Sequence, residues 1–412
     1  MYQLSKIKKA KTFYNKFITA QKRGNINIKV ELLEDSLIHT IQFDKLGIRV
    51  LIKGDSQNLD FNPLNLNFDE WYQTIDLNQK NGVKETSIEI VNGHFSMGGE
   101  RILSTPTKSG HVDWQELCSF NMEAFNNAFN INNVCANNGK LDCNNQIFFC
   151  LQDNMLKLLN TNEIILQEST ILDVTLNSTL IFSIENSYTS NMKKYFLFAN
   201  NNCMDISIFK FGNFIKFVCE SDDENIYEMI VPIKEDKNIT NIYNSLNKLI
   251  NNKWVGTKVE LDENDMYQVA VEEAVNTLLT SGKKVSKKAI KTSLDTFTKS
   301  EDKVAAFKKL DKSIDVPFLS LSNSLNEDNL YILRTLYTNY ISSISEFDYA
   351  IYFLNTNAKA LLFGYKDEMF SFKTLFMLRK PREIVESISD EDIKLDEDEI
   401  IDNVDYDVFE PT

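Results

Sequence analysis

The chain repeats one order of secondary-structure elements along its length. In each repeat, a helix with an apolar stripe precedes short strands, a second helical piece and a closing hairpin. The order occurs in three successive units of roughly 110–140 residues, a length typical of single domains. Sequence identity between the units is not visible, so the repeat rests on element order. The pattern predicts an α+β protein of three similar domains.

The predicted boundaries follow turn-rich breaks between the units. We expect domain 1 at residues 1–110, domain 2 at 111–250 and domain 3 at 251–382, with an acidic tail at 383–412. Domain 3 diverges from the other two because residues 281–312 are lysine-rich and helical in pattern. The tail has a composition typical of disorder.

The first helix is the clearest predicted element. Over residues 4–23, Ile7, Ala10 and Tyr14 lie on one helical stripe and lysines surround the opposite face. Gly24 is placed to end this helix. The rest of the first unit is predicted to contain strands at Ile26–Leu33, Ser36–Phe43 and Gly47–Ile52, a helix over 68–78, and a hairpin that turns at Asn92-Gly93.

The second and third units are predicted from the same signals. The second contains a helix over 119–130, strands at Gln146–Leu151, Leu156–Asn160 and Glu163–Gln167, a helical piece over 177–187, and a hairpin that turns at Gly212-Asn213. The third contains helices at Asp265–Leu279 and Asn326–Tyr340 and strands at Tyr349–Leu354, Ala358–Gly364 and Phe372–Leu378.

The net charge of −15 is unevenly distributed. Residues 1–30 hold eight basic side chains and no acidic one, whereas residues 383–412 hold thirteen acidic side chains and one lysine, Lys394. This pattern excludes a uniformly basic nucleic-acid binder but allows a local binding surface on the first helix. Two other interpretations of that basic face stay open, a solvated surface and a helix lying on a membrane.

Motifs for catalysis are missing from the sequence. It has no GxxxxGK[ST] phosphate loop, no strand-linked GxGxxG, no HExxH and no nucleophile elbow. With three histidines and no CxxC pair, the six cysteines do not suggest a zinc site, and apolar neighbours predict that they are buried and reduced. Cys118 or Cys135 would need a histidine such as His111 to act as a nucleophile. We therefore predict no enzyme, no catalytic residue, no metal and no cofactor.

The sequence also bears on location. No apolar run approaches the roughly 18 residues that a membrane span needs, and the N-terminus lacks an apolar stretch of signal-peptide type. We expect a cytoplasmic protein, bacterial or made in an infected host cell.

The last third of the chain carries a recognisable series of segments. They are Phe318-Leu319-Ser320-Leu321, a helix at Leu330–Tyr340, strands at Asp348–Asn355 and Ala358–Tyr365, and the ending Phe372-Lys373-Thr374-Leu375-Phe376-Met377-Leu378-Arg379. This series resembles the C-terminal domain of the bacterial-type DNA polymerase sliding clamps, the beta subunits of DNA polymerase III. Thr86–Ile102 and Ser119–Glu168 resemble the family's first hairpin and the opening of its second domain. The proline of the family's C-terminal motif is absent here, and its Ala-Thr-Asp-Gly-His-Arg signature is matched at best by residues 159–164.

The resemblance implies a fold and a role. Clamp chains have three domains of one fold, and two chains close into a ring with sheets outside and helices lining a hole for duplex DNA. The chain would then be a processivity factor in DNA replication, a homodimer that binds double-stranded DNA without sequence preference. The residues expected to face phosphates are Lys8, Lys9, Lys16 and Arg23 from the first helix, with Lys283 and Lys287 from the lysine-rich segment.

The resemblance also implies protein partners. Clamps bind peptides of DNA polymerase and of the clamp loader in a groove bordered by the C-terminal tail, where this chain has Met377, Leu378 and Arg379.

The divergence from the family suits a phage or plasmid origin. The acidic tail is either disordered or a peptide that mimics DNA, docks on a partner or occupies the cationic channel. Three alternatives to a closed ring stay open: a phage or plasmid assembly protein without DNA contact, an enzyme with an unrecognised site, and an open or monomeric clamp-like protein.

Overall fold

The structure is a computed structural model. It describes residues 1–33, 36–43, 45–54, 62–108, 112–133, 145–162, 165–251, 256–258, 318–320, 331–333, 340, 343–344, 346–354 and 360–377. The lysine-rich segment 281–312 and the tail 383–412 lie outside the described residues.

Five α-helices lie in the described part of the chain. They are α1 (Leu4–Tyr14), α2 (Phe68–Lys80), α3 (Met122–Asn133), α4 (Thr189–Asn200) and α5 (Lys237–Asn251). Short 3-10 turns at Ala20–Asn25 and Asn186–Tyr188 accompany them. The expected helices over 68–78 and 119–130 are confirmed with shifted ends. In the second case Asn121 caps the helix, because its side-chain oxygen accepts a hydrogen bond from the Ala124 amide at 3.1 Å.

The largest sheet has ten strands. In chain order these are β2 (Asn27–Leu33), β3 (Ser36–Phe43), β4 (Leu46–Lys53), β5 (Leu64–Asn67), β10 (Ser104–Pro106), β11 (Gln115–Asn121), β15 (Thr175–Leu176), β17 (Asp205–Phe211), β18 (Phe214–Glu220) and β19 (Ile226–Pro232). Their spatial order is β10-β5-β2-β3-β4-β19-β18-β17-β11-β15. Strand β19 pairs antiparallel with β4, with Tyr227 opposite Val50, so one sheet runs through strands of both expected domains 1 and 2.

A second sheet is built mainly from the middle of the chain. Its strands include β12 (Gln146–Gln152), β13 (Met155–Thr161), β14 (Ile165–Ile171), β16 (Leu180–Glu185), β24 (Ala360–Lys366) and β25 (Phe370–Met377), which follow one another in the order β16-β12-β13-β14-β25-β24. A hydrogen bond of 2.9 Å from the Leu172 amide to the Met369 carbonyl lies next to the start of β25.

The remaining strands occur in pairs and in one meander. They are β1 (Tyr2–Gln3) with β6 (Glu85–Thr86), the meander β7 (Ile88–Val91), β8 (His94–Met97) and β9 (Glu100–Ile102), β20 (Gly256–Lys258) with β23 (Ala350–Leu354), and β21 (Phe318–Ser320) with β22 (Tyr331–Leu333). The predicted turn at Asn92-Gly93 is confirmed. Both residues have positive φ, 52° and 77°, which a two-residue hairpin of this type requires.

The described residues fall into two compact units. The first contains those of Met1–Lys253, Ser343–Tyr349 and Leu362–Leu375, and the second contains those of Trp254–Ser342, Ala350–Leu361 and Phe376–Thr412. The expected α+β class is confirmed, with antiparallel sheets predominating. The division into three domains stays a prediction.

Helices α1 to α4 pack on one face of the ten-stranded sheet. The ring centroid of Phe13 in α1 lies 4.9 Å from that of Tyr227 in β19, and Phe196 in α4 lies 5.1 Å from Phe217 in β18. Trp71 in α2 contacts the ring of His39 in β3 edge-on at 5.0 Å. These pairs lie within one continuous apolar core, which buries the inward stripe of each helix.

Helix α5 covers one face of the second sheet, opposite to the face that α3 contacts. Its Asn251 amide donates to Glu168 of β14 at 3.0 Å and its side-chain oxygen accepts from Lys373 of β25 at 2.7 Å. The next residue of β14, Ser169, accepts a hydrogen bond from Asn132 of α3 at 2.6 Å. Because successive strand residues point to opposite faces, α3 and α5 lie on opposite faces of this sheet.

The prediction of a helix over 4–23 is wrong beyond Tyr14. Helix α1 ends there, and Asn15–Phe17 form a turn before the short 3-10 turn at Ala20–Asn25. Ile18 and Thr19 are β-branched, which disfavours continuing the helix, and Thr19 has extended backbone angles. Gly24 therefore lies within the 3-10 turn and does not cap α1.

The prediction of a helical piece over 177–187 is also wrong. Residues 180–185 form β16, which pairs with β12 through six residue pairs, and the helix of this region is α4, at Thr189–Asn200. The run Leu180-Ile181-Phe182 is rich in strand-forming side chains. Pairing with the buried strand β12 therefore outweighs the helical spacing of apolar residues in this segment. Helix α5 was not predicted.

The prediction of a helix over Asn326–Tyr340 is wrong at Tyr331–Leu333, which form strand β22. Tyr331–Leu333 pairs antiparallel with Phe318–Ser320, Tyr331 lying opposite Ser320. The apolar triplet Tyr331-Ile332-Leu333 is too short for its periodicity to separate a helix from a strand.

Candidate nucleic-acid interface

Helix α1 places an apolar stripe inward and lysines outward. Ile7, Ala10 and Phe13 are fully buried, whereas Lys8 and Lys9 are exposed. The spacing of three residues keeps the buried side chains on one face of the helix. The Tyr14 hydroxyl, at the C-terminal end of α1, donates a 2.8 Å hydrogen bond to the His39 carbonyl and fixes the helix on the sheet.

Several α1 lysines already have carboxylate partners. The Lys6 ammonium lies 3.3 Å from Glu224 and the Lys9 ammonium lies 3.1 Å from Asp223. Lys11 is buried and pairs with Asp76 of α2. Of these lysines, only Lys9 was expected to face phosphates, and 52% of its side chain is exposed despite the pair.

The residues after α1 differ in how freely they can reach a ligand. Lys16 is exposed, and its ammonium lies 5.9 Å from the ring centroid of Phe198 in α4. Arg23 is half-buried, with its guanidinium 3.8 Å from the Tyr72 ring centroid and hydrogen-bonded to Asn15 at 3.1 Å. These contacts hold Arg23 against α2, and its predicted contact with DNA stays a prediction.

Helix α4 adds two cations that the sequence analysis missed. It lies beside α1, the ring centroids of Phe13 and Phe198 being 4.7 Å apart, and it exposes Lys193, Lys194 and Leu197. Its buried residues Met192, Tyr195 and Ala199 have helical spacing, so periodicity over 189–200 was the signal available in the sequence.

Among the exposed lysines on the solvent side of the helix layer are Lys8, Lys16, Lys193 and Lys194. We call these four the basic face. No carboxylate among the described residues lies within ion-pair distance of any of the four. The layer is not basic throughout, since α2 exposes Glu70 and α3 exposes Glu123. Lysine ammonium groups in such an array suit contacts to phosphates, which carry no sequence information.

The other predicted site residues are only partly described. Met377 ends β25 and is half-buried. Leu378, Arg379, Lys283 and Lys287 lie outside the described residues.

Nothing in the described ranges is arranged as a metal site, since no group of three or more His, Cys, Asp or Glu side chains is clustered there. The four described cysteines, Cys118, Cys150, Cys203 and Cys219, are free and buried, as expected. Burial, with a smaller contribution from Glu116, raises the pKa of the Cys118 thiol to about 12. A thiol so far from ionisation is a poor nucleophile.

One shallow depression of about 640 Å³ lies between β12, β16 and the start of α5. Its lining includes Asp153, Glu235 and Asp236 and no basic side chain. A phosphate would be repelled there, so the depression does not extend the basic face.

No helix in the described part of the chain combines the length and the apolar character needed to cross a membrane.

Comparison with solved structures identifies the fold. A Helicobacter pylori beta clamp bound to a DNA ligase peptide is 9% identical, with a TM-score of 0.55 and a match that covers 92% of this chain and 99% of that chain. The beta subunit of DNA polymerase from Streptococcus pyogenes is 12% identical, with a TM-score of 0.58 and coverage of 92% and 99%. The DNA polymerase sliding clamp of Pseudomonas aeruginosa is 8% identical, with a TM-score of 0.58 and coverage of 92% and 98%.

Sequence comparison alone finds no such relative, since no family model and no curated protein matches the chain. The chain has the fold of the bacterial DNA polymerase sliding clamps, and the resemblance seen in the sequence is confirmed at that level.

Proposed function

We propose that this chain is a divergent DNA sliding clamp, a processivity factor that encircles duplex DNA and tethers a polymerase or a related factor. The observation that carries the proposal is the likeness of fold to sliding clamps over 92% of the chain. The role requires no chemistry on DNA, because a closed ring is retained by topology. We also propose that the protein is located in the cytoplasm of a bacterium or of an infected host cell.

The basic face supplies the contact that such a ring needs. Lys8 and Lys16 come from α1 and its following turn, and Lys193 and Lys194 come from α4. Duplex DNA carries one charge per roughly 1.7 Å, so a few lysines on a helix layer can hold the duplex without reading its sequence. We add Lys193 and Lys194 to the DNA-contacting residues predicted from the sequence.

Partner binding is proposed by analogy with a structural neighbour. The Helicobacter pylori clamp in the comparison was solved with a DNA ligase peptide. We propose that this chain likewise binds peptides of polymerase or clamp-loader proteins, with Met377, Leu378 and Arg379 along one edge of the groove.

The test is retention on circular DNA. The protein is diluted to open the rings, mixed with nicked circular plasmid and reconcentrated, so that no loader is needed. We expect the protein to co-elute with the circular plasmid in gel filtration and to be released when one restriction cut linearises it. Equal retention on circular and linear plasmid, or no retention at all, would contradict the proposal.

A matched pair of variants tests the basic face. In one, Lys8, Lys16, Lys193 and Lys194 are changed to Glu; in the other, the exposed Lys45, Lys108, Lys237 and Lys248 are changed to Glu. Both variants change the net charge equally. We expect only the first to lower affinity for duplex DNA, and to reduce the slope of log affinity against log salt by up to about 7, since each of the two chains in the proposed ring loses four lysines.

A further inference from the structure

We propose that Asp223 competes with DNA phosphates for Lys9 and so limits how tightly the protein holds a duplex. The inference rests on the proposed function, since it assigns a residue that weakens binding to the same surface. Its starting point is Lys9, which was expected to face phosphates and which the structure pairs with a carboxylate. Three observations carry it: how that carboxylate is held, how exposed the lysine is, and how a neighbouring ion pair differs.

The carboxylate belongs to a short loop at 221–225, which joins β18 to β19 and which we call the acidic loop. The Ser221 amide donates to the Asn225 carbonyl at 3.0 Å, and the Glu224 amide donates to the Ser221 carbonyl at 2.8 Å. The side-chain amide of the fully buried Asn225 donates to the Lys6 carbonyl at 3.1 Å. These bonds fix the loop against the first half of α1. Three consecutive acids are thereby held beside the helix: Asp222, Asp223 and Glu224.

Two ion pairs join the acidic loop to α1, and they differ in which partner is accessible. The Lys9 ammonium lies 3.1 Å from Asp223, with 52% of the lysine side chain and 19% of the aspartate side chain exposed. The Lys6 ammonium lies 3.3 Å from Glu224, with 14% of the lysine side chain and 64% of the glutamate side chain exposed. Only Lys9 can therefore turn to a phosphate without leaving a largely buried position.

The pair between Lys9 and Asp223 is of a kind that exchanges. Ion pairs with an exposed partner contribute little stability, because water screens the attraction and the long side chain must be held in one geometry. A phosphate offers the Lys9 ammonium an equivalent contact, beside the exposed Lys8 of the basic face. DNA gains this lysine only by breaking the pair, and the Asp223 carboxylate is then left near the phosphates. Both effects weaken the binding of DNA.

A weakened hold suits the proposed role. A closed ring stays on DNA through topology, so it needs no strong phosphate contact for retention. Each contact must break whenever the ring moves along the duplex. A carboxylate that takes the lysine back gives the ammonium a partner between one phosphate and the next. The acidic loop would therefore favour sliding over a static hold.

The experiment measures equilibrium binding of full-length variants to a short labelled duplex. Asp223→Asn removes the competing charge and keeps the oxygen that accepts the Ser221 hydroxyl hydrogen bond. At about 100 mM salt we expect this variant to bind the duplex about fivefold more tightly, because one lysine in each chain is released for phosphate contact. The gain should shrink as salt is raised to about 300 mM.

The matched control lies in the same loop. Glu224→Gln makes the same change of net charge and releases Lys6, whose side chain is largely buried. It shares only the long-range effect of a removed charge, so the affinity should change by less than about twofold. In a Lys9→Gln background, Asp223→Asn should give no larger gain than Glu224→Gln gives in the parent protein. A purely structural role of Asp223 would lower stability in urea unfolding without raising affinity.

The outcomes separate the two proposals. Equal gains from Asp223→Asn and Glu224→Gln, or a gain that persists without Lys9, would overturn the inference and leave topological retention on circular plasmid as support for the clamp. A selective gain in a protein retained equally on circular and linear plasmid would uphold the competition and overturn the clamp function. A selective gain together with topological retention would uphold both, and no binding of duplex by any variant would overturn both.

Discussion

His39 is a polar side chain buried in the described core without a hydrogen-bond partner. Its ring is fully buried, neither ring nitrogen has a hydrogen-bond partner, and its closest aromatic contact is the edge of Trp71. Burial alone lowers the pKa of His39 from 6.5 to about 3. The imidazole is therefore neutral in the folded protein at any pH near neutrality.

This buried histidine should make stability fall with acid. The folded-state pKa lies below the unfolded value, so below about pH 6.5 only the unfolded chain takes up the proton. Between pH 7 and pH 5 the free energy of unfolding should drop by about 2 kcal/mol on this account. Urea unfolding followed by tryptophan fluorescence measures the drop.

Two variants identify the residue responsible. His39→Leu removes the titrating group and should flatten the pH dependence between pH 7 and pH 5. Ile41→Val, a change at a buried residue of the same strand β3 that adds and removes no titrating group, should leave the dependence unchanged. If His39→Leu keeps the full dependence, another group is responsible.

At the scale of elements, the N-terminus of α2 shows how local chemistry fixes a helix. The Asn67 side-chain oxygen accepts hydrogen bonds from the amides of Asp69 and Glu70, at 2.9 and 3.2 Å. Its side-chain amide donates to the Gly24 carbonyl at 3.0 Å, which ties α2 to the 3-10 turn after α1. One residue thus begins a helix and joins it to the preceding element.

Loss of this cap should be measurable. Asn67→Ala should lower the free energy of unfolding by about 1 kcal/mol, because two amides at the helix start lose their acceptor. Asn67→Asp keeps the acceptor and loses only the bond to Gly24, so it should cost less. If the two variants cost the same in urea unfolding, the tie to Gly24 and not the cap is the stabilising part.

The junction of β4 and β19 depends on buried charge. Glu228 is 4% exposed and lies 3.3 Å from Arg49 on β4 and 3.0 Å from Lys216 on β18. Each partner satisfies part of a carboxylate that would be costly to bury alone. The network therefore joins three neighbouring strands at the point where the sheet passes between the expected domains 1 and 2.

At the scale of the whole molecule, the prediction concerns assembly. The ring proposed above would need two chains, each with the three predicted domains, so we expect the protein to be a dimer. Light scattering at about 150 mM salt should give twice 47.5 kDa, falling to the monomer mass only on dilution. A monomer at every concentration would exclude the closed ring and favour the open or monomeric clamp-like protein.

Elements whose signals are local can be predicted from the amino-acid sequence. The apolar stripe of α1 and the turns at Asn92-Gly93 and Gly212-Asn213 depend on neighbouring residues, and the structure has them. The buried cysteines were likewise readable from their apolar neighbours.

Other elements depend on contacts between distant parts of the chain. Residues 180–185 became a strand because β12 offered a partner, and α1 stopped at Tyr14 although the apolar stripe continued. The basic face exists because packing of Phe13 against Phe198 brings α1 beside α4, which lies about 180 residues away along the chain. No local pattern encodes such a neighbour, since burial against a distant element is a property of the folded chain and not of any window of its sequence.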